Sequence, residues 1–309
     1  MIQTKQSLRI IYIKLLLMGV FWGGTFIAGR AIAGSVPAYS AAFLRFFIAG
    51  IALLFVVYHR YGKLPSLTRE QWVPVVLLGF TGVVLYNIFF FKGLALIDAG
   101  RASLIIANNP VFIALFAALI FKEALGYLRL MGIALSVCGA LVVISQGDLS
   151  QILSGSIGKG ELFILACVAS WVTASLLGRQ MAGNLEPILS VTYSSVIGAI
   201  ALLPFALSED LHLIYPQFSG VDWFSLFFLG FFGTVLGLLW YYEGIDTIGA
   251  VRAGQFINFV PVCAVLAGWL LLDEQITHSL TVGALLVFSG VYITNSLANK
   301  AVGRNGEKR

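Results

Sequence analysis

Charge is scarce in this sequence. Charged residues make up 11% of its 309 residues, whereas a soluble domain contains about 25%. The hydrophobic residue types account for 59%, so too few polar residues remain to cover the surface of a water-soluble fold of this size. This composition excludes a soluble protein, and we expect lipid to surround most of the chain.

Metal-binding and redox residues are also scarce. The three cysteines lie inside apolar runs without Cys-x-x-Cys spacing, which argues against a disulfide framework and a thiolate metal site. We expect Cys138, Cys167 and Cys263 to be small buried residues. The phosphate-loop pattern G-x-x-x-x-G-K-[ST] is absent, and we predict no ATP hydrolysis, no metal and no cofactor. The net charge of +5 is not organised as basic clusters among aromatics, so we predict no nucleic-acid partner.

Long apolar runs are what the sequence has in abundance. A bilayer core needs about 20 helical residues, and ten runs approach that length between charged or turn-rich breaks. The predicted spans are residues 11–32, 38–58, 72–92, 101–121, 127–145, 160–180, 187–207, 222–242, 251–272 and 279–298. The first run is too long for a signal peptide, and we interpret it as a retained helix.

The distribution of Lys and Arg predicts how the chain is inserted. Fourteen of the 19 lie on the side of the N-terminus and four on the opposite side. Positive residues favour the cytoplasm, so we predict a cytoplasmic N-terminus in a plasma (inner) membrane protein. An even number of spans returns the C-terminus, with its basic tail 299–309, to the same side.

The second half of the chain repeats the first. Residues in the third to fifth spans and their loops match residues 151 positions later in the chain. Residues in the first two spans match residues 149 positions later, and Trp22 there matches Trp171. Matched pairs at the larger offset are Trp72 and Trp223, Gly82 and Gly233, Arg101 and Arg252, Pro110 and Pro261, Glu123 and Glu274, and Gly139 and Gly290. We therefore divide the chain into repeats at 11–145 and 160–298.

Five spans in each repeat is an odd number, so the second repeat crosses the bilayer in the opposite direction. Inverted repeats are typical of transporters that work by alternating access. The sequence thus predicts an all-α integral membrane protein with ten transmembrane helices in two inverted five-helix repeats. One chain supplies both halves, so a monomer is sufficient, and the expected partners are the lipid bilayer and a small-molecule substrate.

Three patterns resemble the EamA family of the drug/metabolite transporter superfamily. They are Phe21-Trp22-Gly23-Gly24-Thr25-Phe26, Ala42-Phe43-Leu44-Arg45-Phe46 after Pro37, and the run from Gly93 through Asn109-Pro110 to Glu123, with its second copy from Gly244 through Val260-Pro261 to Glu274. The resemblance implies ten helices around a central cavity. It also implies export of amino acids, other metabolites or toxic organic compounds. We expect an amino-acid or metabolite exporter, with drug efflux and a non-transporting scaffold or sensor as alternatives.

Arg45 is the one basic residue well inside a predicted span. A charge at the bilayer centre costs about 2.5–3.5 kcal/mol on insertion scales, so we expect Arg45 to have a functional or structural role that offsets this cost. One interpretation is a clamp for a substrate carboxylate. The other, which we favour from the sequence, is a structural Arg that bonds helix-end carbonyls or a Glu or Asp at a neighbouring helix end.

Pro110 and Pro261 occupy matched points of the fourth and ninth spans. A proline removes one helical hydrogen bond and clashes with the carbonyl four residues earlier, so both helices should be broken there. Paired breaks indicate a transporter's binding site, although a packing kink with amides that tie helices together explains them equally well. The amides beside the breaks are Asn108, Asn109, Gln255 and Asn258.

Aromatic and small polar residues supply the other candidates for substrate contact. They are Trp22, Thr25, Tyr86, Asn87, Trp171, Ser175 and Tyr241. Such side chains could enclose an apolar group while amides and hydroxyls bind polar ends. The alternative is that some of the rings belong to an aromatic belt that faces lipid.

No Asp, Glu or His lies in the middle of a span, so the usual intramembrane proton carrier is missing. The acidic residues near the interfaces are Asp98, Glu123, Glu243, Asp246, Asp273 and Glu274, and we expect them to tie loops to Arg or Lys. We predict facilitated diffusion or exchange, or proton coupling through one of these carboxylates. No acid pair, Ser–His pair or ligand set lies at bilayer depth, so we predict no enzymatic activity.

Overall fold

In the part of the chain that it describes, the computed structural model contains ten long helices and a short one, Leu211–Ile214. It describes residues 8–122, 125–148, 157–181 and 185–294, without the side chains of residues 180, 181, 250 and 251. The helices are α1 Leu8–Ala31, α2 Ala38–Tyr61, α3 Arg69–Leu94, α4 Ala99–Phe121, α5 Tyr127–Ile144, α6 Lys159–Met181, α7 Pro187–Ser208, α8 Gly220–Ile248, α9 from Ala250–Gln255 through Phe256–Asn258 to Phe259–Leu272, and α10 His278–Tyr292.

Nine of the helices in the described part of the chain are long and apolar enough to cross a membrane. The exception is α10, with 15 residues, and the end of its predicted span, 295–298, lies outside the described residues. We call the end of the bundle where α1 begins the inner face and the end where α1 finishes the outer face. The all-helical architecture predicted from the sequence is confirmed.

Helix boundaries follow local capping chemistry. The N–H of Thr68 donates to Oε1 of Gln71 at 3.0 Å ahead of α3, and Ser219 and Asp222 form the reciprocal bonds of a capping box ahead of α8. At the end of α2, Gly62 has φ 69°, a left-handed conformation that glycine adopts without strain. These caps supply partners for backbone groups that the helix ends leave unpaired.

Two irregularities recur at matched positions of both repeats. A π-helical segment interrupts α3 at Gly79–Leu85 and α8 at Phe228–Leu236. The helix α4 breaks at residues 107–108, and α9 has a 3-10 turn at Phe256–Asn258. Both breaks fall just before Pro110 and Pro261, as expected for a residue that disturbs the turn preceding it.

Each repeat packs against the other along two seams of matched helices, α2 with α7 and α5 with α10. In the second seam the backbones meet at glycines: Gly132 lies against Gly290, and Gly139 against Gly283. Since Gly132 matches Gly283 and Gly139 matches Gly290 at the offset of 151, the two contacts exchange under a two-fold rotation. The seam therefore lies on the pseudo-two-fold axis that relates the repeats.

The three cysteines differ in their surroundings. Cys167 is buried, Cys263 is half-buried and Cys138 is exposed. The prediction of a buried residue was wrong for Cys138, because an apolar run on a helix that faces lipid looks the same in sequence as one that faces protein.

The α5–α10 seam predicts a strong sensitivity to side-chain volume. A Cβ atom at Gly139 would lie 2.7 Å from the N of Val287 and 2.8 Å from the O of Gly283, so Gly139→Ala must separate the two backbones. We expect a loss of about 1–3 kcal/mol in stability, as for other overpacked sites, measured by thermal unfolding in detergent. Gly34→Ala is the control, since nothing lies within 4 Å of that Cβ position; equal stability of the two variants would contradict the close packing.

Candidate functional site

Arg45 lies at the centre of a buried polar cluster formed by three helices. It sits about a third of the way along α2 from the outer face and is 9% exposed. Its Nε donates to Oγ1 of Thr234 on α8 at 3.2 Å. Its Nη1 donates to Oδ1 of Asn87 on α3 at 3.0 Å. We call Arg45, Asn87 and Thr234 the Arg45 cluster.

Aromatic rings surround the charged group. The guanidinium carbon lies 5.5 Å from the ring centre of Phe46 and 5.8 Å from that of Phe90, distances at which a cation is attracted to a ring. These rings stabilise the cation without neutralising it.

The partners of Arg45 differ from those that the structural interpretation requires. Among the described residues it contacts neither a helix-end carbonyl nor a carboxylate. Its Nη2 also has no hydrogen-bond partner among the described residues. The single buried side-chain atom without a partner in that part of the chain is Oδ1 of Asn109. Arg45 is thus a buried cation whose hydrogen-bond partners in that part of the chain are neutral.

The π-helical segments place the two acceptors. Thr234 lies in the segment of α8, and its Oγ1 donates to O of Leu229, five residues earlier, at 2.9 Å, which leaves its lone pairs toward Arg45. Asn87 follows the segment of α3, and its Nδ2 donates to O of Val83 at 2.8 Å. This bond orients the amide so that its oxygen faces the guanidinium.

Trp22 and Trp171 occupy matched positions but different environments. Nε1 of Trp22 donates to O of Gly233 at 3.0 Å, and its ring centre lies 5.5 Å from that of Tyr241. The space beside Trp22 exists because position 237 is a glycine. In the other repeat the matched position is Tyr86, whose ring centre lies 5.4 Å from that of Trp171, and Trp171 is 38% exposed.

Two predicted hydroxyls bond within their own helices. Oγ1 of Thr25 donates to O of Trp22 at 2.6 Å, and Oγ of Ser175 donates to O of Trp171 at 2.8 Å. Each bond uses the single O–H donor of that hydroxyl. These residues can therefore accept hydrogen bonds from a substrate but cannot donate any.

The amides at the helix breaks have different roles. Asn108 is fully buried, its Nδ2 donates to O of Leu104 at 3.0 Å and its Oδ1 accepts from Ser136 at 2.6 Å, so it ties α4 to α5. Asn109 carries the unpartnered oxygen described above. In α9, Gln255 is exposed and Asn258 is half-buried. Among the described residues, none of these four amides forms a hydrogen bond with Arg45.

The acidic residues lie near the two faces. Glu243 pairs with Lys14 at 2.7 Å at the inner face. Glu274 accepts from the backbone N–H of Ala99 at 2.6 Å and of Gly100 at 3.0 Å at the outer face, so its partners are amide groups where we expected a basic side chain. Glu123 lies outside the described residues.

Sequence reasoning missed Thr234 as a member of the Arg45 cluster. Thr234 is 189 positions from Arg45, and no local pattern marks it. The matched pattern of α3 and α8 was the available signal, because it places Thr234 near the middle of the helix that faces α2.

The fold defines the class of this protein: a multi-pass membrane protein of two inverted repeats, an architecture that many transporters share. The model of the EamA-like transporter family matches residues 9–145 and 158–296. The chain belongs to the EamA-like transporter family and is a membrane transporter.

Individual relatives cover the same length. The chain is 32% identical over 281 residues to a Bacillus subtilis (strain 168) protein named as an uncharacterized transporter, YyaM, covering 91% of this chain and 92% of that one. An uncharacterized transporter of Archaeoglobus fulgidus is 31% identical, with coverage of 91% and 97%. A solved crystal structure aligns with a TM-score of 0.63 at 19% identity over 95% of this chain and 99% of its own, a similarity that extends to the fold alone.

The Arg45 cluster predicts that Thr234 stabilises the fold through the buried cation. Thr234→Val keeps the shape but leaves the Nε–H of Arg45 without an acceptor. We expect a loss of about 1.5–3 kcal/mol, the usual contribution of a hydrogen bond to a charged group, in thermal unfolding in detergent. Thr192→Val is the matched control, since that buried hydroxyl donates to O of Ile188 in its own helix. A similar loss in both variants would argue against the bond to Arg45.

Proposed function

We propose that this transporter exports amino acids or similar small metabolites that carry a carboxylate. The observation that carries the proposal is Arg45, a buried cation with neutral partners and an unoccupied Nη2 among the described residues. Removing a charge from water is costly unless an opposite charge compensates it. A substrate carboxylate would supply that charge during transport.

The planar guanidinium suits this ligand. A carboxylate can accept two parallel hydrogen bonds from one Arg, and such charge-assisted bonds are roughly twice as strong as neutral ones. The paired rings of Trp22 with Tyr241 and of Tyr86 with Trp171 supply apolar surface for the remainder of the substrate.

The cycle and the location belong to the same proposal. Inverted repeats support alternating access, in which the bundle opens to one face at a time. The excess of Lys and Arg on the N-terminal side supports a plasma-membrane protein whose termini are both cytoplasmic, with the inner face toward the cytoplasm. The chain carries no phosphate-loop pattern, and a substrate or ion gradient would therefore supply the energy.

Flux into proteoliposomes tests the substrate class. We expect the protein to move radiolabelled apolar amino acids and to discriminate against their amides, which lack the carboxylate. Arg45→Gln should raise KM for the acids about tenfold or more, because it removes a charge-assisted bond of about 1.5–3 kcal/mol.

Arg30→Gln is the matched control for this experiment. It removes a positive charge at the outer end of α1, where Nη1 donates to O of Leu94, and should leave KM within about twofold, as expected for a site outside the cluster. Equal KM for acids and amides, unchanged by Arg45→Gln, would overturn the carboxylate proposal. Flux of amphipathic cations alone would favour drug efflux.

A further inference from the structure

Lys92 lies against aromatic rings near the outer end of α3. Its Nζ donates to Oη of Tyr39 on α2 at 2.8 Å, and it lies 4.5 Å from the ring centre of Tyr39 and 5.9 Å from that of Phe163 on α6. Among the described residues it forms no ion pair. Rings attract a cation but carry no net charge, so this half-buried ammonium group is not neutralised by its neighbours in that part of the chain.

The repeat shows what the same pair of positions holds at the inner face. Lys92 matches Glu243 at the offset of 151, and Phe163 matches Lys14 at the offset of 149. Lys14 and Glu243 form an ion pair at 2.7 Å. The inner pair thus combines a lysine with a carboxylate, whereas the outer pair combines a lysine with a phenyl ring.

Tyr39 adds a second hydrogen-bond donor beside the ammonium group. Its Oη accepts from Lys92 and forms no other hydrogen bond among the described residues, so its own O–H is available to donate. The ammonium group has three N–H donors, of which Tyr39 takes one. The residue that matches Tyr39 at the inner face is Ile188, which has no hydroxyl. Two donor groups 2.8 Å apart can bind the two oxygens of one carboxylate.

The acid beside Tyr39 is already bonded to the start of α2. Oε1 of Glu209, at the end of α7, accepts from the N–H of Tyr39 at 3.2 Å. Its Oε2 accepts from the N–H and the hydroxyl of Ser40 at 2.7 and 2.8 Å. These bonds hold Glu209 at the first turn of α2, where the helix dipole favours an anion. Glu209 therefore stabilises the helix end and forms no ion pair with Lys92.

Lys92 and Arg45 lie at different depths of the same helix pair. The bond of Lys92 to Tyr39 and the bond of Arg45 to Asn87 both join α2 to α3. Tyr39 precedes Arg45 by six residues and Lys92 follows Asn87 by five, which places Lys92 about 7–9 Å closer to the outer face at the helical rise per residue. A substrate that leaves Arg45 along these helices toward the outer face would next meet Lys92.

We propose that Lys92 and Tyr39 form a second binding site for the substrate carboxylate, between Arg45 and the outer face. The carboxylate supplies the negative charge that the outer pair lacks, and the ring of Phe163 covers the apolar part of the substrate. This inference rests on the proposed function, because it takes the same class of substrate. It adds a site that is used only when substrate enters or leaves at the outer face.

Vesicles of opposite orientation measure the two faces separately. With radiolabelled L-leucine, right-side-out membrane vesicles present the substrate to the outer face, and everted vesicles present it to the inner face. Lys92→Gln should raise KM about tenfold or more in right-side-out vesicles, as expected for the loss of a charge-assisted bond. In everted vesicles it should change KM less than about twofold, which also shows that the variant is folded. Arg45→Gln should raise KM in both.

Two further variants define what Lys92→Gln has removed. Arg30→Gln is the matched control, because it removes a positive charge at the same face, where Nη1 donates to O of Leu94. It should leave both KM values within about twofold, as expected for a separate site. Tyr39→Phe keeps the ring and removes one neutral donor, so KM in right-side-out vesicles should rise about fivefold.

An acid at position 163 tests the comparison between the repeats. Phe163→Glu places a carboxylate opposite Lys92, as Glu243 is opposite Lys14. The new ion pair should compete with the substrate and raise KM in right-side-out vesicles about as much as Lys92→Gln does. Phe163→Gln, which has the same size as the Glu variant but no charge, should raise KM much less.

A lipid phosphate is the competing ligand, because anionic headgroups attract lysines near the membrane surface. Proteoliposomes of phosphatidylcholine alone contain no anionic lipid, and the effect of Lys92→Gln on KM should persist there. An effect that requires added phosphatidylglycerol would assign Lys92 to lipid and overturn the second site.

The vesicle measurements separate this inference from the proposed function. If Arg45→Gln raises KM but Lys92→Gln leaves it unchanged in right-side-out vesicles, the second site is refuted and the proposed function stands. If the wild-type protein moves no carboxylate-bearing substrate in either orientation, the proposed function is refuted and the second site with it.

Discussion

Hydrocarbon offers no hydrogen bonds, and this constraint decides where the polar side chains of the bundle lie. Hydroxyls such as Thr192 bond the preceding turn of their own helix, and Asn108 bonds a neighbouring helix. Arg45 requires more, because a guanidinium has five donors, and it takes acceptors from both α3 and α8. The cation that we propose as the substrate site thus also holds three helices in register.

The Arg45 cluster breaks the symmetry of the duplicated chain. The matched π-helical segments occur in both repeats, but the side chains of the cluster do not. Ser194 stands at the position matching Arg45, and Val83 stands at the position matching Thr234. The helical framework is therefore duplicated, whereas the charged cluster occurs once and draws its residues from both repeats.

The sequence predicted those features that depend on a residue's effect on its own helix or on the similarity between the two repeats. Apolar runs and constant offsets predicted the ten helices and the repeats, and Pro110 and Pro261 indicated where α4 and α9 break, because proline disturbs the preceding turn. The contact of Arg45 with Thr234 joins distant segments and left no local signal. The exposed Cys138 was also missed, because a helix that is apolar all round does not reveal which side faces lipid.

The glycine contact between α5 and α10 bears on how such a chain could arise. Gly132 meets Gly290 and Gly139 meets Gly283, so each half presents the same two positions to the other. Two identical half-length chains, inserted in opposite directions, could make this contact with each other. The seam inside the present protein is therefore what an antiparallel homodimer interface would look like after gene fusion, when each partner becomes free to specialise.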